Sequence, residues 1–145
     1  MEISMIVRSG SATYSGLGKD GKGHVSSQSG VLSDQPYGFN TRFEDGKGTN
    51  PEELIAAAHA SCFTMALSFA LAGAGYTAGE LKTEAKVSLD KDGAGFKVTR
   101  SALTLEAQVD GIDEAEFGRI ADEAKANCPI SKLLNAEITL DRKLV

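Results

Sequence analysis

The chain has 145 residues, 41% of them apolar and 24% charged, which is the size and composition of one ordinary globular domain. At this length roughly 68–70% of the unfolded surface is buried on folding, so neither disulfides nor a structural metal are needed to hold a core. Fifteen Lys/Arg against twenty Asp/Glu give a net charge of −5, which argues against nucleic acid, whose phosphates demand a basic face, and against anionic lipid.

The N-terminus, MEISMIVRSGS, lacks the basic start and apolar run of an export signal. Two cysteines in such a chain point to a reducing, cytoplasmic setting, with free thiols in the core or in chemistry. The first third is Gly-punctuated and reads as short strands. Ser11–Tyr14 and His24–Ser27 flank the turn Gly16–Gly23 as a hairpin, and a loop through Asp34–Gly38 leads to Phe39–Phe43 and a second turn, Glu44–Gly48. Asn50-Pro51-Glu52-Glu53 is a helix start, with a capping residue, Pro at the first helical position and acids in the first turn. That helix should run to Ala72–Gly75, where Gly73 and Gly75 end it.

After Gly79 the period changes. Leu81, Thr83, Ala85, Val87 and Leu89 alternate with polar residues as a half-buried strand, and Asp92-Gly93-Ala94-Gly95 turns the chain. Phe96 and Val98 hold even positions, but Leu103, Leu105, Ala107 and Val109 hold odd ones, a phase slip that predicts a β-bulge near Thr99–Ala102. Asp113 with Glu116 forms a capping box, and Phe117, Ile120, Ala121 and Ala124 make one helical stripe. Ala136, Ile138 and Leu140 give a final strand. No repeat or linker interrupts this order, so residues 1–145 read as a single α+β domain.

Several look-alike motifs fail on context. Residues 16–23 satisfy GxGxxG and GxxxxGK, but Gly23 stands where a magnesium-binding hydroxyl belongs, and strand rather than helix follows. Asp90-Lys91-Asp92-Gly93 begins like a calcium loop, yet Ser101 occupies the place of its glutamate. His59 and Cys62 share a helix face and His24 and Cys128 would complete four ligands, but the spacings match no zinc pattern, so His59 reads as a packed histidine and no metal is expected. Leu54–Gly79 carries no charge and is long enough to span a bilayer, but it is Ala-rich, holds His59, Ser61, Thr64 and Ser68, and follows two glutamates. It reads as a buried helix, and burying every face of it in so small a chain calls for a second subunit.

The thiols are the strongest chemical signal. Cys62 lies mid-helix, where it is either a small core residue or a nucleophile. Cys128, four residues after Ala124, faces inward, and Cys128-Pro129-Ile130-Ser131 can begin a new helical turn that favours thiolate. Spacing alone leaves open whether the two sulfurs meet.

Gln35-Pro36-Tyr37-Gly38-Phe39-Asn40-Thr41-Arg42-Phe43, Gly48-Thr49-Asn50-Pro51-Glu52-Glu53-Leu54-Ile55 through Ala60-Ser61-Cys62-Phe63, Asn127-Cys128-Pro129-Ile130-Ser131 and Glu137-Ile138-Thr139-Leu140-Asp141 resemble the OsmC/Ohr family, and within it the OsmC branch. The resemblance implies antiparallel sheets wrapped around two central helices in an intertwined homodimer. It also implies a thiol peroxidase of osmotic and oxidative stress defence that reduces organic hydroperoxides without a cofactor and is recycled by an external dithiol, of lipoyl type or similar. It assigns the peroxidatic role to Cys62, the resolving role to Cys128, and the supporting roles to Arg42 and Glu52.

Elementary chemistry adds a constraint to these assignments. Cys62 is about three turns into its helix, beyond reach of the terminal dipole, and its burial disfavours thiolate, so a cation is required. Arg42 is the permanently charged candidate, expected to be partly buried between Phe39 and Phe43, with Glu52 to orient it. Glu52 and Cys62 stand roughly 15 Å apart along a straight helix and cannot touch. Phe63, Met65 and Phe69, near Cys62 in sequence, would favour alkyl over hydrogen peroxide. The competing readings are a non-catalytic module that encloses an apolar ligand with packing cysteines, and a redox sensor.

Overall fold

The structure, a computed structural model, describes residues 5–145. These fall into two compact units, divided between Pro51 and Glu52.

The first unit is a three-stranded antiparallel sheet in the order β1 (Gly10–Ser15), β2 (Lys22–Ser27), β3 (Gln35–Tyr37), followed by a short helix α1 (Phe39–Phe43). The β1–β2 hairpin is as the sequence predicts, with a 3-10 turn over Gly18–Asp20. Phe39–Phe43 departs from the short strands expected of this region. Gly38 N–H donates to Thr41 Oγ1 at 2.8 Å and Thr41 Oγ1 donates to Gly38 O at 3.1 Å, which closes a helical turn too short to leave a periodic trace in the sequence. Gly48, at φ +142°, passes so close to β3 that a Cβ there would stand 2.3 Å from Pro36 O, so only glycine fits before the Thr49 N–H donates to that same carbonyl.

The second unit begins with α2 (Pro51–Gly73) and continues through β4 (Gly79–Asp92), β5 (Gly95–Val109), α3 (Glu114–Asn127), α4 (Pro129–Leu133) and β6 (Glu137–Leu144). β4 and β5 form a long antiparallel hairpin whose register slips between Ser88 and Leu89: Ser88 faces Arg100 and Leu89 faces Val98, so Thr99 is the extra residue. The bulge thus lies where the phase slip placed it, and the Thr99 hydroxyl donates across it to Asp90. β6 joins β5 in parallel, a direction that requires the crossover supplied by α3 and α4. This sheet is therefore mixed, where antiparallel pairing was expected throughout.

The core of this unit gathers three stripes: Phe63, Leu67 and Leu71 from α2; Leu103, Leu105, Ala107 and Val109 from β5; Phe117, Ile120, Ala121 and Ala124 from α3. The α3 stripe and its cap, with Asp113 Oδ1 accepting from Glu116 N–H at 2.8 Å, match the sequence reading. α2 is apolar and long enough to cross a membrane, but one stripe of it packs into this core, and Thr64 donates to Thr83 of β4 at 2.7 Å. Its other faces are open in the single chain, with Met65 59% and Phe69 70% exposed. Phe63, in contrast, has no exposed surface: it is a core residue and does not line a substrate surface.

Candidate active site

Cys62 and Cys128 are both free thiols and are neighbours, close enough that each shifts the acidity of the other. Cys62 comes from the middle of α2, half-buried; Cys128, fully buried, is the last residue before α4, as its Pro129 predicts.

Their environments split two chemically identical groups. Burial pushes the Cys62 thiol up from its ordinary value, and the neighbouring Cys128 adds to this. Burial also acts to raise Cys128. There it is outweighed by the neighbouring Cys62 and the Ser131 and Ile130 groups, which together hold Cys128 below its ordinary value.

Behind Ser131 stands His59. Its side chain has no exposed surface, Nδ1 lies 2.6 Å from Ser101 Oγ on β5, and Nε2 lies 2.8 Å from Ser131 Oγ. The histidine is packed, as expected, and burial lowers its pKa. Ser131 and Ser101 escaped the sequence reading. Ser131 carried a signal, since it lies three residues after Cys128 in the first turn of a helix, and Ser101 sits on the inward phase of β5 with Leu103 and Leu105.

Arg42 and Glu52 occupy α1 and the first turn of α2. Arg42 is exposed rather than partly buried, because Thr41 takes the inward position of α1 and the guanidinium lies 5.6 Å from the Phe43 ring centroid. It lines a cleft of about 370 Å³ with Tyr14, Tyr37, Phe39 and Pro51. Glu52 is half-buried.

Two neighbouring thiols, one within a helix and one at the junction between two others, held at different acidities, form a pair chemically capable of dithiol redox on an α+β scaffold. The comparisons agree with that class. A family model for OsmC-like proteins matches residues 44–143. Peroxiredoxin OsmC of Escherichia coli (strain K12) is 58% identical over 139 residues, covering 96% of this chain and 97% of that protein. The organic hydroperoxide resistance protein OhrB of Bacillus subtilis is 33% identical over 125 residues, 83% of this chain and 89% of its own. Its crystal structure superposes with a TM-score of 0.69 over 93% of this chain and 98% of that one, at 31% identity. An OsmC-like protein of unknown function from Vibrio cholerae reaches a TM-score of 0.76 over 96% and 100% of the two chains at 17% identity, a likeness of fold alone. The chain belongs to the OsmC-like family.

Proposed function

We propose that this chain is a cofactor-free thiol peroxidase that reduces organic hydroperoxides to alcohols, working in the cytoplasm as a homodimer of single OsmC-like domains, residues 1–145. The Cys62 thiolate attacks the O–O bond, the alkoxide leaves and is protonated to the alcohol, and Cys62 becomes a sulfenic acid. Cys128 then attacks the Cys62 sulfur, water leaves, and a disulfide remains. An external dithiol, of lipoyl type or similar, exchanges with that disulfide and restores both thiols.

The proximity of Cys62 and Cys128 is the observation that carries this reading, since a sulfenic acid formed on one sulfur has the other close by. Burial raises the Cys62 pKa, so activation of this thiol calls for a cation. Arg42 is that cation, oriented by Glu52, and its guanidinium donates to the peroxide oxygens as charge develops on them. Tyr14, Tyr37 and Phe39 around Arg42 support an alkyl substituent on the peroxide. The dimer is supported by the uncharged, exposed face of α2 around Met65 and Phe69, which a second copy of this chain covers.

The test is a count of thiols. One equivalent of cumene hydroperoxide added to reduced protein should consume both thiols of each chain without crosslinking chains, and Cys62→Ser should consume no peroxide. Unreacted thiols in the wild-type protein would favour the apolar-ligand module instead.

A further inference from the structure

We propose that His59 is a positioning residue for the disulfide-forming step, a clamp that holds the turn carrying Cys128 against the turn of α2 that carries Cys62. The proposal rests on the peroxidase reading above, and it gives a role to a buried polar side chain that this reading leaves unused.

The clamp is a matter of spacing. His59 stands three residues before Cys62 on α2, so the two side chains leave neighbouring positions on one side of that helix. Ser131 stands three residues after Cys128. The Lys132 N–H donates to Cys128 O at 3.1 Å, so Cys128 and Ser131 belong to one closed turn at the start of α4. His59 Nε2 lies 2.8 Å from Ser131 Oγ. The elements that carry the two cysteines are therefore joined directly, one turn away from each sulfur. On its other side the ring is seated on β5, with Nδ1 2.6 Å from Ser101 Oγ. A neutral imidazole has one N–H and one lone pair, and a serine hydroxyl can donate or accept, so both bonds form in either tautomer.

Apolar packing would not do the same work. His59 and Ser101 have no exposed surface, in a core otherwise built from Phe63, Leu67, Leu103 and Leu105. Apolar side chains of similar shape would fill that space without polar groups to satisfy, but their attraction has no direction. Hydrogen bonds on opposite edges of a rigid ring do have one, and they fix the position of α4 on α2. α4 needs such a tie, because it spans five residues and contributes no fully buried side chain. Position is also what the second half-reaction demands. Cys128 attacks the Cys62 sulfenic acid with its own electron pair, the S–S bond forms as the S–O bond breaks, and the departing hydroxide takes up the Cys128 proton and leaves as water. Cys128 is oxidised as Cys62 is reduced. A turn already ordered by the clamp loses less freedom in reaching that geometry.

The experiment uses the full chain in two arms. In the first, reduced protein is mixed with cumene hydroperoxide and quenched, and mass spectrometry follows conversion of sulfenic acid to disulfide. Ser131→Ala should slow that conversion about fivefold, the factor to which one ordinary net hydrogen bond amounts, and leave sulfenic acid formation at its wild-type rate. Ser131→Thr, which keeps the hydroxyl, should restore it. In the second arm, without peroxide, the protein is equilibrated with reduced and oxidised glutathione, and the constant for closing the Cys62–Cys128 disulfide is read as an effective concentration. Ser131→Ala and His59→Leu should each lower it about fivefold. Val109→Ala loosens the same core at the far end of β5, roughly 27 Å along the strand from Ser101, and should leave both readings within about twofold. Wild-type readings in folded Ser131→Ala, or an equal loss in Val109→Ala, overturn the proposal. If the wild-type protein forms no sulfenic acid the peroxidase reading fails, and the glutathione arm still decides whether the clamp positions the pair.

Discussion

His59 should make the protein acid-sensitive in a window set by its burial. The side chain has no exposed surface, and its two partners are serine hydroxyls, which offer no negative charge to an imidazolium. Burial accordingly lowers its pKa in the folded chain. The unfolded chain, with a histidine near 6.5, then binds more protons than the folded chain as pH drops, so stability is fully present above about 6.5 and is lost as pH falls toward the folded value. If the folded imidazole stays neutral throughout, protonation of the unfolded chain between pH 7.0 and 5.5 costs about 1.3 kcal/mol, from the linkage integral with an unfolded pKa of 6.5. His59→Gln removes the titration while keeping an amide that can meet both hydroxyls. Urea unfolding at the two pH values, at one fixed protein concentration, reads the effect. The wild-type midpoint should fall by about 0.5–1 M more than the variant's, given ordinary urea slopes for small proteins. Carboxylate titrations common to both proteins cancel in that difference. Equal falls in the two proteins would refute the neutral, packed imidazole.

Cys128→Ser should still react once with peroxide but stall as sulfenic acid and advance to irreversible sulfinic acid under excess oxidant, read by intact mass. Arg42→Met should shift the rate-versus-pH profile upward and lower the peroxide rate at pH 7 by about tenfold or more, because an unaided thiol has only a few per cent thiolate there and burial of Cys62 reduces it further; Arg42→Lys should recover part of the shift, Glu52→Gln should be milder than Arg42→Met, and an unmoved profile in folded Arg42→Met would remove Arg42 from the site. Met65→Lys with Phe69→Lys should convert the proposed homodimer to monomer in sedimentation, since both side chains lie on the open face of α2; a variant that sediments as wild type would place the contact elsewhere.

The elements legible in the sequence were those whose pattern has a local cause. Pro51 after Asn50 fixed the start of α2, the parity change after Val98 placed a bulge near Thr99–Ala102, within which Thr99 is the extra residue, and the spacing of Phe117, Ile120, Ala121 and Ala124 gave the buried stripe of α3. The misses have non-local or sub-threshold causes. α1 spans five residues, less than two helical turns, and depends on one threonine–glycine exchange. Alternation in Ile138 and Leu140 reports a strand but carries no direction, so the parallel seat of β6 beside β5 was invisible. Ser101 looks like a polar interruption in an apolar strand until His59, 42 positions away in sequence, is set against it. Apolar stretches such as α2 give up their length easily, but not which face meets the core.

The division of labour between the cysteines has a backbone origin. In the middle of α2, the amides around Cys62 are committed to the i−4 carbonyls of their own helix, so the sulfur receives no help from its own element and burial dominates. Cys128 precedes α4, where the first amides have no intrahelical carbonyl, and the nearby Ile130 and Ser131 groups act to lower its pKa. Two identical side chains, one inside a helix and one before a helix, are thereby driven in opposite directions within one neighbouring pair. The second unit thus prepares the thiol assigned to resolution and leaves the thiol assigned to attack in need of a cation from outside α2 and α4. With the proposed roles, removing Cys128 and removing Arg42 should slow different halves of the cycle, the first by accumulating sulfenic acid and the second by preventing its formation.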